Sequence, residues 1–201
     1  CSAASRAYVP RSLWQKIKTN LIEQTQSIKM GDPEDFSNFM CAVIDERAFQ
    51  KIKGFVDHAK NSNEAELLCG GECDDSKGYF IRPTIIEAKN PQYKSMQEEA
   101  FGPVLTVYVY DDNALDETLK ICDQTSPYGL TGAVFAQDRH VIHHMMQALE
   151  FSAGNFYIND KPTGAVVGQQ PFGGSRKSGT NDKAGSIYNL LRWVSQIGRA
   201  H

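Results

Sequence analysis

Between Asp45 and Ile158 the spacing of apolar residues switches repeatedly between the helical period and the strand period, which restricts the chain to few architectures. Asp45 to Asn61 places Phe49, Ile52, Phe55 and Val56 on one face of a helix, with Asp45 in position to cap it. A short strand follows at Glu66 to Gly70. Tyr79 to Ile86 reads as extended, with a bend or a sheet edge at Pro83, whose nitrogen carries no proton for a ladder. Val104 to Tyr110 is the strongest strand, rich in β-branched and aromatic residues. Asn113 to Asp123 then reads as helix, Gly132 to Phe135 as strand, Arg139 to Glu150 as helix and Asn155 to Ile158 as strand. Short glycine-bearing links in that succession predict an α/β fold, a parallel or mixed sheet flanked by helices.

At the start of the chain, Ser12 to Ile28 carries Leu13, Ile17, Leu21 and Ile22 at helical spacing, so Cys1 is expected just before or within a helical region. From Lys161 to Gly185 the periodicity dissolves into a glycine-rich stretch, expected to be a long loop, and loops of that length in a domain are commonly functional.

The 201 residues are 41% hydrophobic and 22% charged, enough to bury a core. A net charge of −3 leaves no basic excess to neutralise phosphates, so nucleic acid is not expected as a partner. No run approaches the roughly 18 apolar residues of a membrane span, and no membrane association is expected. Five dispersed cysteines suit reduced thiols better than a disulfide framework. Cys69 and Cys73 with His58 do not make a convincing metal set, and Cys69 ends a strand-like run where cysteine behaves as a small hydrophobe. His140, His143 and His144 read as helix surface or core edge, so no metal is expected.

Three strings carry the chemistry. Cys1 is a nucleophile only if its thiolate is favoured by a positive field or a neighbouring base, and a terminal cysteine alone reads more readily as incidental. Glu98-Glu99-Ala100-Phe101-Gly102-Pro103 sets a carboxylate and an aromatic ring before a Gly-Pro turn, which can hold a diol and a flat ring, yet it also reads as a solvated acidic turn leading into a core phenylalanine. Thr163 to Thr180 is rich in glycines that let backbone amides approach an oxyanion or carboxylate. It satisfies neither the dinucleotide fingerprint nor the P-loop pattern, and Val166, Val167 and Phe172 argue for ordered packing.

Taken together, Cys1-Ser2-Ala3, Glu99-Ala100-Phe101-Gly102-Pro103 and Pro171-Phe172-Gly173-Gly174 resemble, in order and spacing, the aldehyde dehydrogenase superfamily over nearly the whole chain. Thr163 to Gly174 and Ser178 to Lys183 resemble the branch that oxidises L-glutamate gamma-semialdehyde, formed from delta-1-pyrroline-5-carboxylate, to L-glutamate in proline degradation. The resemblance implies that Cys1 is the catalytic thiol and NAD the cofactor. It implies that Glu99 holds the nicotinamide ribose hydroxyls with Phe101 beside them. It further implies that Ser2, Gly164 and Ala165 anchor the substrate α-carboxylate and that Phe172 packs on the substrate's aliphatic portion. Some relatives have serine at Ala165, so only a backbone contact is expected there.

The resemblance also makes residues 1–195 a catalytic domain, with the NAD-binding domain, a general-base glutamate and an oxyanion-hole asparagine expected before Cys1, so these residues alone are expected to be inactive. Residues 196–201 abandon the pattern and are expected to be a non-native tail. The intact parent is expected to be a homo-oligomer, in the mitochondrial matrix if eukaryotic and in the cytoplasm if bacterial. The alternatives are another aldehyde dehydrogenase, which the Thr163 to Phe172 loop discriminates, and a noncatalytic binding or assembly protein that keeps the fold.

Overall fold

Val104–Tyr110 is the strand around which the largest sheet forms, and the helices on either side of that sheet explain why Ile85, Ile86, Val104 and Val107 are buried on it. The computed structural model describes residues 2–163, 165–166, 169–179, 184–195 and 197–198; Cys1, Gly164, Val167, Gly168, 180–183 and, of the expected tail, 196 and 199–201 lie outside the described residues. The chain divides into two units: Ser5–Thr125, here the sheet unit, and Cys1–Ala4 with Ser126–His201, here the loop unit.

In the sheet unit, β1 (Arg6–Pro10) and α1 (Arg11–Gln26) are followed by α2 (Glu46–Lys60), β2 (Ala65–Cys69), β3 (Cys73–Asp74), β4 (Phe80–Ile81) and β5 (Thr84–Ala88). A single-turn α3 (Lys94–Gln97), β6 (Val104–Tyr110) and α4 (Leu115–Gln124) complete it. The sheet runs β1-β6-β5-β2, with β1, β6 and β5 parallel and β2 antiparallel to β5. Successive side chains point to opposite faces. Thus Ile85 joins Trp14, Cys69 and Val107 in a cluster completed by Ile17, Leu21 and Ile22 of α1, whereas Ile86 joins Phe49, Ile52, Phe55 and Val56 of α2. Each such fully buried side chain contributes about 1.5–3 kcal/mol relative to exposure.

Asp45 caps α2 as its position predicts, accepting the Ala48 N–H at 2.7 Å. The start of α1 has Pro10 at its cap and no side-chain cap of its own. Instead Asp112 accepts the Ser12 N–H at 3.2 Å, while Arg11 donates Nε and Nη2 to Asp111 at 3.0 and 2.9 Å. Trp14 Nε1 and Lys18 Nζ both donate to Glu87 Oε2 of β5, at 3.0 and 2.8 Å, which ties α1 to the sheet.

One expectation is corrected. A strand, β1, precedes α1 where a helical region is expected at the start of the chain; five residues ending in Pro10 give too short a pattern to read, and only pairing with Thr106–Tyr110 makes them a strand. The interruption expected at Pro83 is observed: β4 pairs with β3, β5 joins the large sheet, and the break falls at Arg82-Pro83 as the missing proton requires.

The loop unit contains β7 (Tyr128–Gly129), β8 (Thr131–Val134), α5 (Arg139–Ala148), β9 (Asn155–Ile158), β10 (Ser175–Arg176) and a 3-10 helix at Ile187–Trp193. β8 and β9 pair in parallel around α5, whose first turn is capped by Asp138 accepting the His140 N–H at 2.7 Å. The expected long loop is partly regular: β10 pairs with β7, and Phe172 bridges Ala184. No helix among the described residues is long and apolar enough to cross a membrane.

Candidate functional site

In the loop unit, the second residue of the chain meets the loop that sequence singles out. Ser2 Oγ lies 2.7 Å from Thr163 Oγ1, and the Thr131 hydroxyl of β8 donates to the Ser2 carbonyl at 3.3 Å. Thr163 is two residues before the half-buried Ala165 in sequence. Either hydroxyl can be the donor of the bond between Ser2 and Thr163. Beyond Ala165 the chain turns back, with the Gln169 and Gln170 N–H groups donating to the Val166 carbonyl at 3.0 and 2.8 Å. Tyr157 of β9 donates its hydroxyl to Gln170 Oε1 at 3.4 Å. Phe172 is half-buried, and its N–H donates to the Ala184 carbonyl at 2.9 Å.

Glu99 and Phe101 lie in the sheet unit, on the loop that enters β6. Ala100 between them is buried, which turns both neighbours outward. Lys51 of α2 donates to the Glu99 carbonyl at 2.7 Å, and the Pro103 carbonyl accepts from Thr84 N–H at 2.8 Å. Gly102 is fitted against α2 so closely that a Cβ would stand 2.4 Å from Ile52 Cδ1. Phe101 itself has φ +61°, in the left-handed region that a bulky residue adopts only when its surroundings impose it, and the ring is 60% exposed. An exposed carboxylate beside an exposed ring on a loop pinned at both ends fits a ribose diol with its attached flat ring, so these residues suit the nicotinamide half of NAD.

The remaining sequence candidates separate from this chemistry. His140, His143 and His144 are all exposed on α5, and no group of three potential metal ligands occurs among the described residues. Burial pushes the thiols of Cys69 and Cys73 up, so neither is an activated nucleophile. Two shallow depressions, one beside Asp57 and His58 and one beside Phe135 and Asn159, contain none of the site residues. Sequence reading missed Lys51, Thr131 and the fit of Gly102 on Ile52, because each acts through a contact with a distant residue and has no local signature.

Residues 1–196 match the model of the aldehyde dehydrogenase family. The mitochondrial delta-1-pyrroline-5-carboxylate dehydrogenase of Dictyostelium discoideum is 62% identical over 195 residues, 97% of this chain and 35% of that protein. The crystal structure of the delta-pyrroline-5-carboxylate dehydrogenase from Mycobacterium tuberculosis has a TM-score of 0.88 at 48% identity, covering 94% of this chain and 35% of the other. The same Mycobacterium tuberculosis enzyme bound with NAD gives a TM-score of 0.86 at 48% identity, covering 94% and 34%. The chain thus spans about 35% of the length of the curated relatives it matches.

Proposed function

Since the chain belongs to the aldehyde dehydrogenase family, we propose that the whole protein carrying it is an NAD-dependent L-glutamate gamma-semialdehyde dehydrogenase of proline degradation. The observation that supports this reading is the meeting of Ser2 with Thr163 at the start of the loop, and the reading assigns that hydroxyl and the loop backbone that follows to a substrate carboxylate. The 62% identity to a protein named for this activity supports the choice of substrate, and its mitochondrial name supports the matrix as the compartment in a eukaryote. Assembly as a homo-oligomer is part of the same proposal.

Ser2 and the amides at 164 and 165 hold the α-carboxylate, and Phe172 packs against the methylene chain. Cys1 forms a C–S bond to the aldehyde carbon as a thiolate, retains the acyl group as a thioester after hydride departs, and is released when water adds and that bond breaks, leaving L-glutamate. Bound NAD+ supplies the acceptor for the hydride. Glu99 accepts hydrogen bonds from the ribose hydroxyls, and Phe101 lies beside them.

Assaying the full-length protein with L-glutamate gamma-semialdehyde and NAD+ tests the reading, together with its Cys1→Ala and Ala165→Pro variants. Cys1→Ala should abolish turnover. Ala165→Pro, which removes one amide donor, should weaken L-glutamate binding about tenfold, the worth of one hydrogen bond to a charged group. A wild-type protein no more active on this substrate than on propanal would instead indicate another aldehyde dehydrogenase. A polypeptide of these 201 residues alone is expected to show no turnover above its Cys1→Ala control.

A further inference from the structure

Asn155, the first residue of β9, has a side chain committed to a task its strand position does not require. It is 7% exposed. Its Nδ2 donates to the Pro171 carbonyl at 2.9 Å, and its Oδ1 accepts the Gly173 N–H at 3.2 Å. Those two partners are the residues on either side of Phe172, whose own N–H is taken by Ala184. One short planar group therefore grips the backbone before and after the ring. The neighbouring Gly154 lets the loop come that close: a Cβ there would stand 1.9 Å from the Gly173 carbonyl oxygen and 2.6 Å from Gly174 Cα.

Only a primary amide offers a donor and an acceptor in one plane at this reach. Aspartate keeps the bond from Gly173 N–H but sets a charge against the Pro171 carbonyl. Alanine removes both of the bonds that Asn155 makes to this loop. We propose that Asn155 is a positioning residue that fixes the Phe172 ring in the substrate site and so tunes selection of an aldehyde with a carboxylate-bearing aliphatic chain. The inference rests on the role given to Phe172 above.

The test uses the full-length protein with Asn155→Ala, Asn155→Asp, Phe172→Ala and the Asn155→Ala/Phe172→Ala pair. Asn155→Ala should raise KM for L-glutamate gamma-semialdehyde about tenfold while kcat changes less than about threefold, with a smaller rise in Asn155→Asp. The pair should be no worse than Phe172→Ala alone, because the asparagine acts through the ring. NAD+ affinity and kcat/KM for propanal should stay within about twofold in Asn155→Ala, a pattern that general structural damage would not give. Hydrogen exchange at the Gly173 amide should speed up about tenfold, independently of any substrate. Unchanged exchange overturns the clamp, as does failure of Asn155→Asp to fold with wild-type NAD+ affinity. Faster exchange with an unchanged KM, additive effects in the pair, or an equal loss with propanal overturns the positioning role. Wild-type protein that does not oxidise the semialdehyde refutes the proposed activity instead, and the exchange measurement still decides the clamp.

Discussion

In Ser5–Thr125, Ile52, Val56 and Ile86 are wholly removed from water, while in Ser126–His201 Phe151, Tyr188 and Trp193 are 71%, 72% and 83% exposed. Both apolar clusters among the described residues belong to the sheet unit. The loop unit is organised instead by directional bonds from side chain to backbone. Ser175 Oγ donates to the carbonyls of Gly129 and Phe151, Ser178 Oγ accepts the Gly129 N–H, and Asn159 both donates to and accepts from Ala136. Area burial is nondirectional and tolerates small shifts, whereas a hydrogen bond is lost when its partner moves by an ångström. The proposed carboxylate receptor and Phe172, the ring proposed to contact substrate, lie in the part held directionally. Glu99 and Phe101, with a fixed loop shape, lie on the part held by a core.

That contrast can be broken most directly at Ile52. Ile52→Ala should cost about 2–5 kcal/mol in denaturant unfolding of the full-length protein, as a cavity opens beneath Gly102, and NAD+ affinity should fall with it. A loss under 1 kcal/mol would mean that the sheet unit does not depend on this core. Gly154→Ala should act oppositely, lowering kcat/KM for the semialdehyde by more than tenfold through displacement of Gly173, while hydrogen exchange in β5 and β6 stays unchanged. Exchange that rises across β6 would show that the effect is not confined to the loop around Gly173.

Asp45→Ala removes the α2 cap and should cost about 1 kcal/mol, read as a lower unfolding midpoint with unchanged slope. The smallest effect is at the start of α1. The Ser12 hydroxyl, bonded to Asp112, holds that carboxyl below its ordinary value of 3.8. The charged form is thus favoured by folding, and its contribution is complete above that value and lost as pH falls through the lower folded value. Asp112→Asn should flatten stability slightly in that acid window, and an identical acid limb in both proteins would remove Asp112 as the cap of α1.

Much of the sheet unit was legible. Val104–Tyr110 and the Asp45 cap were read at their observed places because each depends on neighbours in sequence: a β-branched run, or an oxygen three residues before the N–H it caps. β1 was not legible, since Ala7 and Val9 become strand residues only beside Val107 and Val109. Glu99, Phe101, Ser2 and Phe172 could be named from motif order, but their support could not. Lys51 is an ordinary surface lysine until the Glu99 carbonyl lies above it, and Asn155 is an ordinary strand residue until the Pro171 loop crosses it.

By itself the sequence determined the α/β class and most helices and strands, because periodicity is a property of neighbouring residues, while the residues proposed for thiol, carboxylate-binding and nicotinamide chemistry follow from a resemblance carried by motif order. Only the tertiary structure decided that Ser2 is grouped with Thr163, 161 residues away, rather than with the strand that follows it. Only the tertiary structure decided, too, that Asn155 grips the backbone on both sides of Phe172. Hydrogen bonds of that span are selected by the packing of the whole chain, and nothing in a local window of sequence reports them.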